Sequence, residues 1–228
     1  MATTTTRIWG EHEVRRGNLA LRHARRAIQT KPGRILEAGC GAGRFIRTIR
    51  RLRPDLDAYG ADLSPAAIQL AQAYADGVRY EIGSLADLPY PDGFFDIVVL
   101  FDVLEHVPDP DRALREIGRV LRPGGLFHAL IPCEGQAGTL HWVLWKIGLG
   151  GDLKLRHGEH IQRFRRRDVE RALPEHGFTI VHRAYSMHPA GQLKDILFYV
   201  AKEDWYERLA GRPPVSYTHL TLPTKRIV

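Results

Sequence analysis

The chain has 228 residues, 44% hydrophobic and 26% charged, with a formal net charge of +7 and two cysteines, Cys40 and Cys133. That is enough for one substantial domain of ordinary globular composition, and there is no apolar run of the length a membrane span needs. The N-terminus has no apolar signal core, two distant thiols read as free cysteines rather than a disulfide, and the positive excess favours an anionic partner without naming one.

Short β-rich runs alternate with helical stretches, as in βαβ architecture. Residues 11–30 read as a basic leading helix, "RILEAG" (34–39) as the first strand, and Gly43 to Arg53 as the helix after it. "DAYGAD" (57–62) is the second strand. The following helix, "SPAAIQLAQAYA", has Ser64 as N-cap and Pro65 at its first position. "VRYEIG" (78–83) is the third strand, and "FFDIVVLF" (94–101) is a fourth with the nearly continuous apolar character of a strand buried on both faces. "DPDRALREIGRVL" (109–121) is a helix with Ala113, Leu114, Ile117, Val120 and Leu121 on one face. "RPGG" then makes a turn and "LFHALIP" (126–132) a fifth strand.

The regularity stops after Pro132. Residues 133–164 mix glycine, tryptophan and basic residues, and loops this long in a compact domain are usually lids or binding segments. "RRRDVERALPEHGF" (165–178) is a helix disturbed by Pro174; "TIVHRAYS" (179–186) and "ILFYVAK" (196–202) are the last two strands. The final fourteen residues, 215–228, resemble the translation of a sequencing-library adapter and are set aside, which lowers the basic excess by Lys225 and Arg226. The expected organisation is one domain over 1–214: leading helix 11–30, cofactor-binding core 31–132, lid or acceptor segment 133–164, and C-terminal helix and strands 165–202.

The stretch "ILEAGCGAGRF" (35–45) carries the chemistry. A strand, a glycine turn and a helix aim backbone N–H groups at a ligand. A phosphate-cradling loop would need Lys and then Ser or Thr after the last glycine, where this chain has Arg44 and Phe45. A dinucleotide site would want a glycine at Arg44, and Glu37 would repel its pyrophosphate. S-adenosylmethionine has an ammonium and a sulfonium against one carboxylate and no phosphate, so an acid before Gly39, Gly41 and Gly43 suits it. Asp62, at the end of the second strand, can accept hydrogen bonds from both ribose hydroxyls of any nucleoside.

With "YGADLSPAAIQLA", "LADLPYPDGFFDIVVLFDVLEHVPDPDRALREIGRVLRPGGLF" and "HGF", this stretch resembles the ordered motifs of class I S-adenosylmethionine-dependent methyltransferases of the small-molecule type, closely over about 30–132 and loosely to 182. The resemblance implies an α/β, Rossmann-like fold: a seven-stranded, mostly parallel sheet with an antiparallel last strand and helices on both faces. It further implies that Glu37, Gly39, Gly41 and Gly43 surround the methionine part of the cofactor, that Asp62 holds the ribose beside Leu63 at the adenine, and that Phe101 lines the methyl-donor site. Many relatives have Asp where this chain has Ser84, a weaker group toward the adenine amine; Leu85 could still supply backbone.

Methyl transfer from a sulfonium is an in-line displacement, and a base is needed only if the acceptor must lose a proton. "FDVLEHV" (101–107) offers Asp102, Glu105 and His106, spaced to share one face of a helical turn. That spacing could place a divalent metal, but the reading assigns none. Of His141, His157 and His160 in the long segment, His160 is the catalytic candidate, with Glu105 and His106. Trp142 and Trp145, near Lys146, Lys154, Arg156 and Arg165 to Arg167, read as core packing or as a lid meeting a lipid-like or anionic acceptor. The expectation is a cytoplasmic enzyme that methylates an oxygen or nitrogen of a small molecule of quinone, lipid-linked or secondary-metabolite type, with peripheral membrane contact open and no nucleic-acid partner. The rivals are an RNA or protein methyltransferase, a non-catalytic subunit that binds the cofactor, and, more distantly, a dehydrogenase.

Overall fold

A computed structural model describes residues 18–29, 32–133, 135–147, 160–185 and 193. In chain order these form α1 (Leu19–Ile28), β1 (Arg34–Ala38), α2 (Arg44–Leu52), β2 (Asp57–Asp62), α3 (Pro65–Gln72), β3 (Arg79–Ile82) and β4 (Phe95–Phe101). A 3₁₀ turn (Leu104–His106), α4 (Pro110–Val120), β5 (Leu121–Leu130), α5 (Leu140–Lys146) and α6 (Arg166–Glu175) follow.

The strands make one parallel sheet of order β3-β2-β1-β4-β5. The order reverses between β1 and β4, so the crevice beyond their carboxyl ends is where an open α/β sheet binds ligands. β4 earns that central place through its sequence: Phe95, Ile97, Val98, Val99, Leu100 and Phe101 are all buried. Alternate residues of each strand feed two cores. One joins Leu36, Val98 and Leu100 to Leu114 and Ile117 of α4. The other joins Ile35, Ile97 and Val99 to Ala24 of α1, Ile46 and Ile49 of α2 and Ile68 of α3.

Ser64 caps its helix as expected, and a second cap stands at Asp109. The Ser64 hydroxyl accepts the Ala67 N–H at 3.3 Å to cap α3, and Asp109 caps α4 through the Arg112 N–H at 2.9 Å. The "RPGG" turn sits within the span of β5, where the pairing jumps from Phe95 with Leu121 to Ile97 with Leu126 and Gly124 has φ +72°.

Two expectations differ from what is described, and others lie outside it. The sheet has five strands among the described residues, not seven. Residues 178–185 carry no strand pairing among the described residues, and the last expected strand, 196–202, lies outside them. The leading helix is described only from Leu19; residues 11–17 lie outside, as do His157, Lys154, Arg156 and the tail 215–228. Among the described residues no helix is long and apolar enough to cross a membrane.

Candidate active site

Gly39, Gly41 and Gly43 follow β1 with φ of +72°, +53° and +79°, a backbone that side-chain-bearing residues rarely adopt. Two of them also lack room for a side chain. A Cβ on Gly39 would lie 2.5 Å from Val103 Cγ1, and one on Gly43 would lie 2.4 Å from the Tyr80 hydroxyl. The loop is tied to β2 where the N–H groups of Gly39 and Cys40 both reach the Ala61 carbonyl, at 2.8 and 3.0 Å.

Two carboxylates flank this loop. Asp62 accepts the Gly41 N–H at 2.7 Å on one oxygen and the Ser64 N–H at 2.9 Å on the other. These bonds fix its plane, and each oxygen keeps a lone pair for a further donor. Glu37 is buried, 2% exposed, and accepts the Ile46 N–H at 2.8 Å. Burial pushes its pKa from 4.5 up to about 8, and neighbouring Asp62 adds to the rise; the Ile46 N–H, Arg44 and Arg47 oppose it. A buried carboxyl held near neutrality is poised to ionise when a cation arrives.

Phe101 stacks on Phe45 with centroids 4.3 Å apart. Leu63 is 71% exposed directly after Asp62, an apolar side chain without cover beside a carboxylate. The Ser84 hydroxyl accepts the Ala86 N–H at 3.1 Å within its own turn, and the Leu85 side chain is in the core, leaving only the Leu85 backbone for a ligand.

The acceptor side departs from expectation. Asp102, Glu105 and His106 do not share a helical face. Asp102 has φ +51°, donating its N–H to the Leu130 carbonyl at 3.1 Å, and only Leu104–His106 coil, as a 3₁₀ turn. A left-handed non-glycine residue at the end of a central strand stores strain of the kind found at functional sites. His160, the remaining candidate, lies with Glu105 and His106. The His106 and His160 rings meet edge to face at 4.8 Å, and His106 Nε2 lies 3.8 Å from Glu105 Oε1. Glu105 is fully buried, and ligand atoms of Glu105, His106 and His160 all lie within 4.8 Å of one another.

Gln162, which no periodicity or motif singled out, brings His160 there. Its backbone N–H donates to the Glu105 carbonyl at 3.0 Å, and its side-chain amide reaches the Val107 and Pro108 carbonyls at 3.3 Å each. Of the other lid candidates, Trp142 is half-buried beneath Lys146, at 5.9 Å, while Val143 and Ile147 are exposed. The side chains of His141 and Trp145 lie outside the description. A separate cavity of about 860 Å³ lies among Phe127, Leu173 and Phe178, lined by none of these groups.

The pattern of a family described as "Methyltransferase domain" matches residues 11–183. Among characterised relatives, the chain is 34% identical over 102 residues to ajmaline N-methyltransferase of Rauvolfia serpentina, covering 42% of this chain and 35% of that one. It is 34% identical over 127 residues to demethylmenaquinone methyltransferase of Thermus thermophilus, covering 53% and 58%. The chain thus spans about a third and somewhat over half of these two curated relatives. Among solved structures, the YcgJ protein of Bacillus subtilis superposes with a TM-score of 0.61 at 19% identity over 91% of this chain and 93% of that one, a likeness of fold.

Proposed function

The chain belongs to the methyltransferase domain family, and from that premise we propose that it transfers a methyl group from S-adenosylmethionine to an oxygen or nitrogen of a small molecule. The observation that carries this reading is the pair of carboxylates on the glycine loop. Glu37 suits a cationic ligand that draws out its charge, and Asp62 offers its two oxygens to the ribose of a nucleoside. The groups fit the cofactor in kind: Glu37 for the ammonium, the Asp62 oxygens for the ribose hydroxyls, Leu63 for the adenine face, and Phe101 with Phe45 for the apolar floor near the sulfonium.

When bound, the cofactor supplies a methyl already activated on sulfur, so the protein's work is alignment and charge management. The Gly41 N–H holds Asp62, and the Ile46 N–H holds Glu37, both set before any ligand arrives. On the acceptor side, the paired imidazoles of His106 and His160 take the proton that an O–H or N–H acceptor must lose. Glu105 beside His106 stabilises the imidazolium that results.

One observation favours a second reading of that last step. Two imidazoles and one carboxylate converging within 4.8 Å are a donor set suited to a divalent transition metal, which would polarise the acceptor oxygen directly. Retained activity after exhaustive chelation supports the imidazole base; loss restored by a divalent cation supports the metal.

Small-molecule acceptors fit the relatives named for ajmaline and demethylmenaquinone, and a quinone, lipid-linked or secondary-metabolite type is the preferred class. The test incubates the chain with methyl-labelled S-adenosylmethionine and a cell extract, followed by separation of lipid, small-molecule, protein and RNA fractions. Label in the lipid or small-molecule fraction is the expected result. Label confined to protein or RNA overturns the acceptor class. Binding of cofactor with no label in any fraction points to a non-catalytic subunit.

A further inference from the structure

We infer that Arg47, Asp76 and Tyr80 form a buried brace under the glycine loop that sets affinity for the cofactor; its binding role rests on the methyltransferase reading above. None of the three reaches the crevice. They act through the loop and are positioning residues.

Arg47 grips the loop twice. Its backbone N–H donates to the Gly43 carbonyl at 2.9 Å, and its side-chain Nη1 donates to the Ala42 carbonyl. The two successive carbonyls fix the peptide planes on either side of Gly43, whose own N–H closes the turn onto Cys40 O at 2.9 Å. The guanidinium is 2% exposed, where an unpaired charge would be costly, and lies between Asp76 and Tyr74. Arg47 Nε stands 3.9 Å from Asp76 Oδ2, a charge contact rather than a hydrogen bond, and the guanidinium carbon sits 3.8 Å above the Tyr74 ring.

Asp76 links this cation to Tyr80. Asp76 Oδ2 accepts the Tyr80 hydroxyl at 2.9 Å, and Oδ1 accepts the Val78 N–H at 3.0 Å. The Tyr80 ring lies flat in the space that side chains at Gly43 and Gly60 would take, with ring or hydroxyl atoms 2.4 to 3.0 Å from those missing Cβ positions. Contacts therefore run from the Ala42 carbonyl through Arg47, Asp76 and Tyr80 back to Gly43. Packing alone does not need this: a buried ion pair can usually be replaced by apolar groups without loss of stability. A planar guanidinium fits the task because a carbonyl must be held in one direction.

Arg47→Met keeps the volume and removes the donors, Arg47→Lys restores charge without the fork, and Tyr80→Phe keeps the ring without the bond to Asp76. Cofactor dissociation constants by calorimetry, steady-state kinetics with whichever acceptor the labelling identifies, thermal midpoints and amide exchange of the ligand-free chain are read together. The expectation for Arg47→Met is a cofactor affinity lower by on the order of tenfold, the worth of one hydrogen bond to a charged group. Arg47→Lys should recover part of it and Tyr80→Phe should lose a few-fold. KM for the cofactor should rise while kcat at saturation stays within about twofold. Exchange at residues 39–47 should quicken while β4 stays protected. Wild-type affinity and wild-type loop exchange in both Arg47→Met and Tyr80→Phe overturn the brace. If the wild-type chain binds no S-adenosylmethionine, the methyltransferase reading fails, and loop exchange still decides whether the brace holds the loop.

Discussion

At the residue scale, Glu37 is the group whose state depends most on what occupies the crevice. Its folded pKa is raised to about 8 against an ordinary 4.5, so the ligand-free fold favours the neutral acid. The stabilisation is complete below 4.5, declines as pH climbs, and is gone once pH passes about 8. Ligand-free Glu37→Gln keeps a neutral, near-isosteric group, so its stability between pH 5 and pH 9 should fall less than that of the wild type. Denaturant midpoints at the two pH values check this, and parallel curves would remove Glu37 as the titrating group. A bound cation reverses the preference by favouring the carboxylate. Glu37 and Asp62 were legible in the sequence because each stands at a strand end beside a glycine or a helix start, and local order fixed their chemistry. Arg47 was not. Among thirty-three basic residues nothing local marks the one whose guanidinium turns inward, since its partners at Ala42 and Asp76 are chosen by packing.

At the element scale, the segment after β4 and the segment after α5 meet through Gln162. Gln162→Ala removes the side-chain bonds to the Val107 and Pro108 carbonyls and loosens His160 against His106, while the backbone bond to the Glu105 carbonyl stays. Methyl transfer should drop by on the order of tenfold, with cofactor affinity unchanged because no cradle group is touched. A loss of cofactor affinity, measured calorimetrically, would place Gln162 in the cradle instead. The strands that hold the two segments were readable as apolar runs, α3 by its Ser64 cap and α4 by its apolar face. The cluster itself was half readable. Glu105, His106 and His160 were each candidates, but helical spacing grouped the first two with Asp102, and the left-handed backbone at Asp102 broke that face. The third member came from 55 positions further along, by a contact that no periodicity encodes.

At the scale of the whole molecule, the ends of one sheet position most of the proposed cradle, with Phe45 added from α2. β1 ends in the glycine loop, β2 in Asp62 and β4 in Phe101, with Glu37 in register between Gly60 and Val99. Ligand bound across three strand ends stabilises the folded sheet as a unit. S-adenosylmethionine at about 100 times its dissociation constant should add about 2.7 kcal/mol. For a chain of this size each kcal/mol moves the thermal midpoint by about 2–4 °C, so the midpoint should rise by roughly 5–11 °C. A nicotinamide dinucleotide at the same concentration should leave it unchanged, because Arg44 stands where such a site needs a glycine and the dinucleotide brings no ammonium to ionise Glu37. Asp62→Ala should weaken the cofactor by on the order of 1–3 kcal/mol, the range for buried donors left without an acceptor, and shrink the shift accordingly. Scanning calorimetry of the wild type and Asp62→Ala with each ligand separates the possibilities. A shift with the dinucleotide alone would reverse the choice of cofactor that the two carboxylates support. A shift with S-adenosylmethionine that Asp62→Ala leaves intact would keep the cofactor and move its ribose elsewhere.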